Sequence, residues 1–169
     1  MNSPIHNGSL EADKMFFTAD QMIANGQIAE ATDLLLKLVE KFPSYGRAYN
    51  HLGYLYENKY KDVVTAEKFY KLALAHSPEY PATYVNYAVI LSAQERFPEL
   101  TALLNKALEV LGITKDKVYN EFGLMYELQG KYDEAMGMYR KAISYALNEK
   151  DLEFYDKSIK RCNLKMSYR

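Results

Sequence analysis

Three segments of this chain repeat one another at a fixed interval, so any fold it adopts has to be assembled from like units. AYNHLGYLYE begins at Ala48, TYVNYAVILS at Thr83 and VYNEFGLMYE at Val118. Their small residues Gly53, Ala88 and Gly123 fall 35 residues apart, and a weaker copy around Ala19 lies 34 before the first. In each unit large residues flank the small one: Tyr49, Leu52, Gly53 and Tyr56; Tyr84, Tyr87, Ala88 and Leu91; Tyr119, Phe122, Gly123 and Tyr126; and, degraded, Met15, Thr18, Ala19 and Met22. Steps of three and four place such residues on one face of a helix.

A second apolar pattern comes next in every unit and ends on a breaker. It reads Ala31, Leu35, Leu38, Pro43; Ala66, Tyr70, Ala73, Pro78; Leu100, Leu104, Ala107, Gly112; and Ala135, Tyr139, Ala142, with Leu147 where a breaker would stand. Turn-like pairs, Gly26-Gln27 and Gly130-Lys131, or the polar run from Asn58 to Asp62, separate the two patterns. Each unit is therefore expected to be a helical hairpin, with Pro98 at the start of a second helix, where its missing N–H costs nothing. A lone hairpin cannot bury its apolar face, so the hairpins must stack, and Gly53 and Gly123 are expected to permit close approach. Gly137, inside the last repeat helix, lowers helix propensity by about 1 kcal/mol and reads as a tolerated surface glycine.

The order aromatic, leucine, glycine, aromatic, then alanine, aromatic, proline resembles the tetratricopeptide repeat family from about Met15 to Leu147. Ala88 replaces glycine, Leu100 replaces alanine, and the first unit lacks its leading aromatic. Pentatricopeptide RNA-binding repeats share a period of 35, but the Ala66, Tyr70, Pro78 pattern and the near-neutral charge favour the former. The resemblance implies an all-α, right-handed superhelix of four hairpins with a C-terminal capping helix. The expected organisation is a mobile tail over 1–10, four repeats over 11–147 (about 12–44, 45–79, 80–114 and 115–147), and a capping helix with a basic tail over 148–169.

Composition narrows the functions such a chain can have. Its 169 residues suit one compact unit, and 21 Lys and Arg against 22 Asp and Glu give a net charge of -1, which argues against a uniformly basic polyanion binder. No nucleic-acid ligand is expected. No apolar run approaches the roughly 18 to 20 residues that span a bilayer, and MNSPIHNGSLEADK lacks the apolar core of a signal peptide, so a cytoplasmic chain with no membrane partner is expected. One cysteine, Cys162, and three scattered histidines make neither an internal disulfide nor a four-ligand zinc site. Glycine-rich phosphate loops, HExxH and nucleophile elbows are absent from the sequence, and neither a cofactor nor catalysis is expected.

At the C-terminus Leu152, Tyr155, Ile159, Cys162 and Met166 step along one helical face, the pattern of a cap, with a dimer seam as the alternative. Cys162 reads as a small buried hydrophobe. Lys157, Lys160, Arg161, Lys165 and Arg169 succeed one another without an acidic residue, whereas the first 45 residues carry three basic and six acidic ones. That asymmetry leaves an anionic contact and head-to-tail association open.

The resemblance also implies that the first helix of each unit lines a concave groove. Residues beside the packing stripe are then groove candidates: Phe16 and Asp20; Arg47, Asn50, His51 and Tyr54; Val85, Asn86 and Val89; and Lys117, Asn120, Glu121 and Leu124. Asn50, Asn86 and Asn120 recur once per unit, and their amides could pair with the backbone of an extended peptide or bond locally. Some family members clamp a C-terminal carboxylate with lysine, asparagine, asparagine, lysine and arginine. Here only Asn86 and Lys117 match, and Asn50, Tyr54 and Glu121 stand where lysine, asparagine and arginine belong, so that ligand is not expected. The sequence reads as a non-enzymatic adaptor for a segment of another protein. The alternatives are a structural module that self-associates into a homo-oligomer through the terminal helix, and a small chaperone for secreted proteins.

Overall fold

The computed structural model describes the backbone of residues 4–168 and the side chains of residues 10–168. Among the described residues all regular structure is helical, in nine helices. These are α1 (Pro4–Ala24), α2 (Ile28–Lys41), α3 (Gly46–Asn58), α4 (Val63–His76), α5 (Pro81–Ala93), α6 (Phe97–Glu109), α7 (Lys115–Leu128), α8 (Tyr132–Tyr145) and α9 (Glu149–Ser167). They divide between two compact units, Met1–Thr83 and Tyr84–Arg169, where composition alone pointed to one. Of the tail expected over 1–10, residues 1–3 lie outside the described residues and 4–10 form the first turns of α1, which opens on Pro4, a residue suited to that position.

In the first unit α1 packs on α2, α2 on α3 and α3 on α4. Ala12, Phe16 and Ala19 of α1 meet Leu35 and Leu38 of α2, Ala48, Tyr49, Leu52 and Leu55 of α3, and Ala73 of α4 in one core. The α1 stripe therefore runs Ala12, Phe16, Ala19, and Phe16, expected in the groove, is 2% exposed in the core. Thr18, expected to pack, is exposed and donates its hydroxyl to the Lys14 carbonyl at 2.8 Å. Gly53 lies against the Tyr70 ring: a Cβ there would sit 2.6 Å from the ring carbons, so even alanine forces a shift. Tyr70, fully buried, donates its hydroxyl to Glu57 Oε2 at 2.7 Å, and burial and that bond raise its pKa.

The second unit repeats the construction. A Cβ on Gly123 would sit 2.5 Å from the Tyr139 ring, and Tyr139 donates to Glu127 Oε2 at 2.8 Å. The second-helix pattern is buried without exception: Leu100, Leu104, Ala107, Ala135, Tyr139 and Ala142 here, and Ala31, Leu35, Leu38, Ala66, Tyr70 and Ala73 in the first unit. Burying each leucine contributes about 1.5 to 3 kcal/mol, so this stripe is a main source of stability. Gly137, by contrast, has open space where a Cβ would go.

The helix α9 packs on α8 through Ile159 and Cys162, which join Ala135, Met136 and Tyr139. Its polar contacts go mainly to α7. Tyr155 donates to Asp116 Oδ2 at 2.8 Å, Lys117 pairs with Asp151 at 2.7 Å, and Arg161 and Lys165 both reach Glu127, at 2.7 and 2.8 Å. Part of the basic run is thereby matched inside the unit. Lys157 and Lys160 pair with Glu153 and Asp156 one turn back along α9, and Arg169 lies outside the described residues. Asn148 caps the helix, accepting from the Asp151 N–H at 2.9 Å.

The turns inside the hairpins share one backbone feature. Gly26, Lys61, Glu95 and Gly130 all have positive φ, at 78°, 57°, 55° and 71°, in the left-handed region that ends a helix. Two of the four are glycine, whereas Lys61 and Glu95 hold a conformation that costs an L-residue about 1 kcal/mol.

Candidate functional site

In the first unit the expected groove residues separate into different roles. Asn50 is 3% exposed, because the buried arc of α3 takes in Ala48, Tyr49, Asn50, Leu52, Gly53 and Leu55 and is wider than the sequence stripe implied. Its amide is not presented to solvent, which corrects the expectation of an accessible asparagine there. The Arg47 guanidinium lies 4.6 Å from the Phe16 ring centre, 5.5 Å from Tyr80 and 6.0 Å from Phe17. Three aromatic rings thus hold the charge by cation–π attraction. His51 is held against Phe16, with ring nitrogens 3.2 Å from the Arg47 carbonyl and 3.3 Å from Asp20. Tyr54 remains exposed.

In the second unit the candidates come together more closely. Val89 on α5 and Leu124 on α7 line one pocket of about 300 Å³ with Ser92, Ala93, Glu95, Glu121 and Leu128. Val89 and Leu128 are 47% and 49% exposed, an apolar surface open to solvent. Val85 and Asn86, one turn before Val89 on α5, are half-buried. Asn120 donates to its neighbour Glu121 Oε1 at 3.2 Å, the local use of an asparagine amide. Lys117 is bound to Asp151 and sits 5.8 Å from the Tyr155 ring centre, so it serves the docking of α9.

Several lining residues escaped the sequence. Ser92 and Ala93 stand three and four residues after Val89, and Leu128 four after Leu124, so helical periodicity carried one turn further would have found them. Nothing in the sequence marks Glu95, whose place follows from its left-handed backbone at the end of α5.

Two carboxylates of α7 have opposite surroundings. Burial raises the pKa of Glu121 against the smaller opposing effect of the Asn120 amide. Burial would raise that of Glu127 too, but hydrogen bonds from Arg161, Lys165 and Tyr139 outweigh it and hold the carboxyl down at about 2. Among the described residues no group of three or more His, Cys, Asp or Glu side chains is placed to hold a metal ion. No helix of the described residues is long and apolar enough to cross a membrane.

The tetratricopeptide repeat pattern matches residues 117–146, the span of α7 and α8. No curated protein matches the chain by sequence. Among solved structures the chain is similar to PilF of Pseudomonas aeruginosa, at 19% identity and a TM-score of 0.82 over 96% of this chain and 72% of that one. It is similar to TTC0263, a thermophilic TPR protein of Thermus thermophilus, at 20% identity and a TM-score of 0.69 over 88% and 81%. Yeast Tom70 aligns at 19% identity with a TM-score of 0.79, over 92% of this chain and 34% of its own length. The paired helices, the buried repeat positions and the glycine–tyrosine contacts already described give the chain the fold of tetratricopeptide-repeat proteins, and its fourth hairpin carries that family's sequence pattern.

Proposed function

We propose that this protein is a non-enzymatic adaptor that binds a segment of another protein on the exposed faces of α5 and α7. The observation that carries the reading is the pocket where exposed Val89 and Leu128 and half-buried Leu124 stand beside polar groups, on the helices that line the groove in proteins of this fold. Extended and helical segments both anchor through side chains set into such pockets. Val85, Asn86, Lys117 and Asn120 flank it on the same helices and are proposed to border the bound segment. Arg47, Asn50 and Tyr54 are left out of this contact. The test compares wild type with a Val89→Asp, Leu124→Asp variant in affinity capture from cell lysate, after melting curves confirm that both are folded. Partners captured by wild type alone support the reading, and an unchanged set of partners overturns it.

A second reading is favoured by α9, which leaves Phe154 (53%) and Leu164 (58%) exposed away from its packing face, and Leu152 and Met166 partly exposed at the two ends of that face. Exposed apolar side chains on a terminal helix can pair with another copy. Sedimentation across a wide range of concentration tests it, since a mass that stays monomeric removes the reading.

A further inference from the structure

The pocket of the second unit carries more information than its apolar walls. Seven residues line it, and the two charged ones, Glu95 and Glu121, are both carboxylates. Glu121 accepts a hydrogen bond from Asn120 at 3.2 Å and is paired with no cation among the described residues. Lys117, one turn earlier on α7, is engaged by Asp151 at 2.7 Å and Asp116 at 3.8 Å. Tyr155, which feels the charge of Glu121, is bound to Asp116. A desolvated carboxylate without a counter-ion is costly, and a cation brought by a ligand relieves that cost.

Ser92 supplies an independent observation. It is 4% exposed, it lines the same pocket, and its hydroxyl has no hydrogen-bond partner among the described residues. Buried hydroxyls are nearly always paired, so an orphan in a pocket wall is an acceptor or donor waiting for a ligand. Around these polar groups Val89, Ala93, Leu124 and Leu128 form the apolar surface that the methylene stem of a long basic side chain covers. A purely apolar side chain would leave the half-buried Glu121 without a counter-ion. An acidic one would meet two like charges.

Resting on the adaptor reading and naming its ligand chemistry, we infer that the pocket between α5 and α7 receives a lysine or arginine side chain of the partner segment, its stem against Val89, Leu124 and Leu128 and its charge at Glu121 and Ser92. This is the reverse of a carboxylate clamp: the protein supplies the anion and the partner the cation.

The experiment is selection from a random-peptide phage library on the full chain. Affinities of the enriched peptides are then measured for wild type, Glu121→Gln and Ser92→Ala, and again with each Lys or Arg of the peptide replaced by norleucine. Enriched peptides are expected to share one Lys or Arg between apolar residues. Glu121→Gln and the norleucine swap should each weaken binding about tenfold or more, with little further loss when combined, the signature of a direct pair. Glu121→Gln removes a desolvated charge and should melt no lower than wild type, and the norleucine swap tests the same pair on unaltered protein. Peptides that bind without a basic residue, or equally well to Glu121→Gln, overturn the inference and leave the adaptor reading standing. Failure to enrich any peptide overturns both.

Discussion

The second and fourth hairpins are built alike around a glycine, a tyrosine and a glutamate, yet among the described residues only the glutamate of the fourth takes ion pairs from a further helix. In the first unit Gly53 admits the Tyr70 ring and Tyr70 bonds Glu57; in the second Gly123 admits Tyr139 and Tyr139 bonds Glu127. Glu57 is ion-paired with no cation among the described residues, whereas Glu127 collects Arg161 and Lys165 from α9. The same packing unit thus ends in a tyrosine hydrogen bond in one place and in a charged socket in the other. The repeat fixes where the carboxylate stands, and the helix next in the chain decides how it is used.

The sharpest way to break the likeness is to fill the glycine sites. Gly53→Leu and Gly123→Leu should each cost about 3 kcal/mol or more by overpacking, and similarly in both units, read from denaturant melts. A large difference between them would show that the two ring contacts are not equivalent. Next come the carboxylates. Arg161→Ala, which strips Glu127 of its bidentate partner, should destabilise the second unit by about 2 to 3 kcal/mol. Glu57→Gln should cost about 1 kcal/mol, the worth of a single tyrosine hydrogen bond. Equal losses would erase the contrast.

Acid should separate the two hairpins as well. Because the folded pKa of Glu127 lies below its unfolded value, the unfolded chain binds the proton first as pH falls. The contribution of Glu127 is then complete above roughly pH 4.3, the ordinary glutamate range, and is lost as pH drops through about 2. Helix α9 should loosen over that window in wild type, and a Glu127→Gln variant should show no such acid step by circular dichroism. The smallest effects belong to the backbone. Lys61→Gly relieves a left-handed lysine, and Gly137→Ala fills open space within a helix, so each should raise stability by about 0.5 to 1 kcal/mol.

Much of this was legible in the sequence because the repeat encodes packing. Every position of the second-helix pattern before its closing residue is buried, and both glycines do meet a ring. The first repeat was harder to phase. Without its leading aromatic, the stripe could be placed on Met15, Thr18 and Ala19 or on Ala12, Phe16 and Ala19, and three-dimensional burial selects the second. The candidate site was half legible. Helical geometry brought Val89, Glu121 and Leu124 to one pocket but missed that Asn50 is buried and that Lys117 serves α9. Those two outcomes depend on partners distant in the chain or on the width of a buried arc, neither of which a local period reports.

Cys162 gives the second unit a built-in clock. It is the only cysteine of the chain, it is fully buried with Tyr139 and Met136, and burial pushes its thiol up to about 11. A thiolate reagent can therefore modify the native protein only during the moments when α9 lifts away, and the labelling rate counts those moments. The population of the lifted state is the ratio of that rate to the rate for the unfolded chain, obtained without denaturant and without an introduced probe.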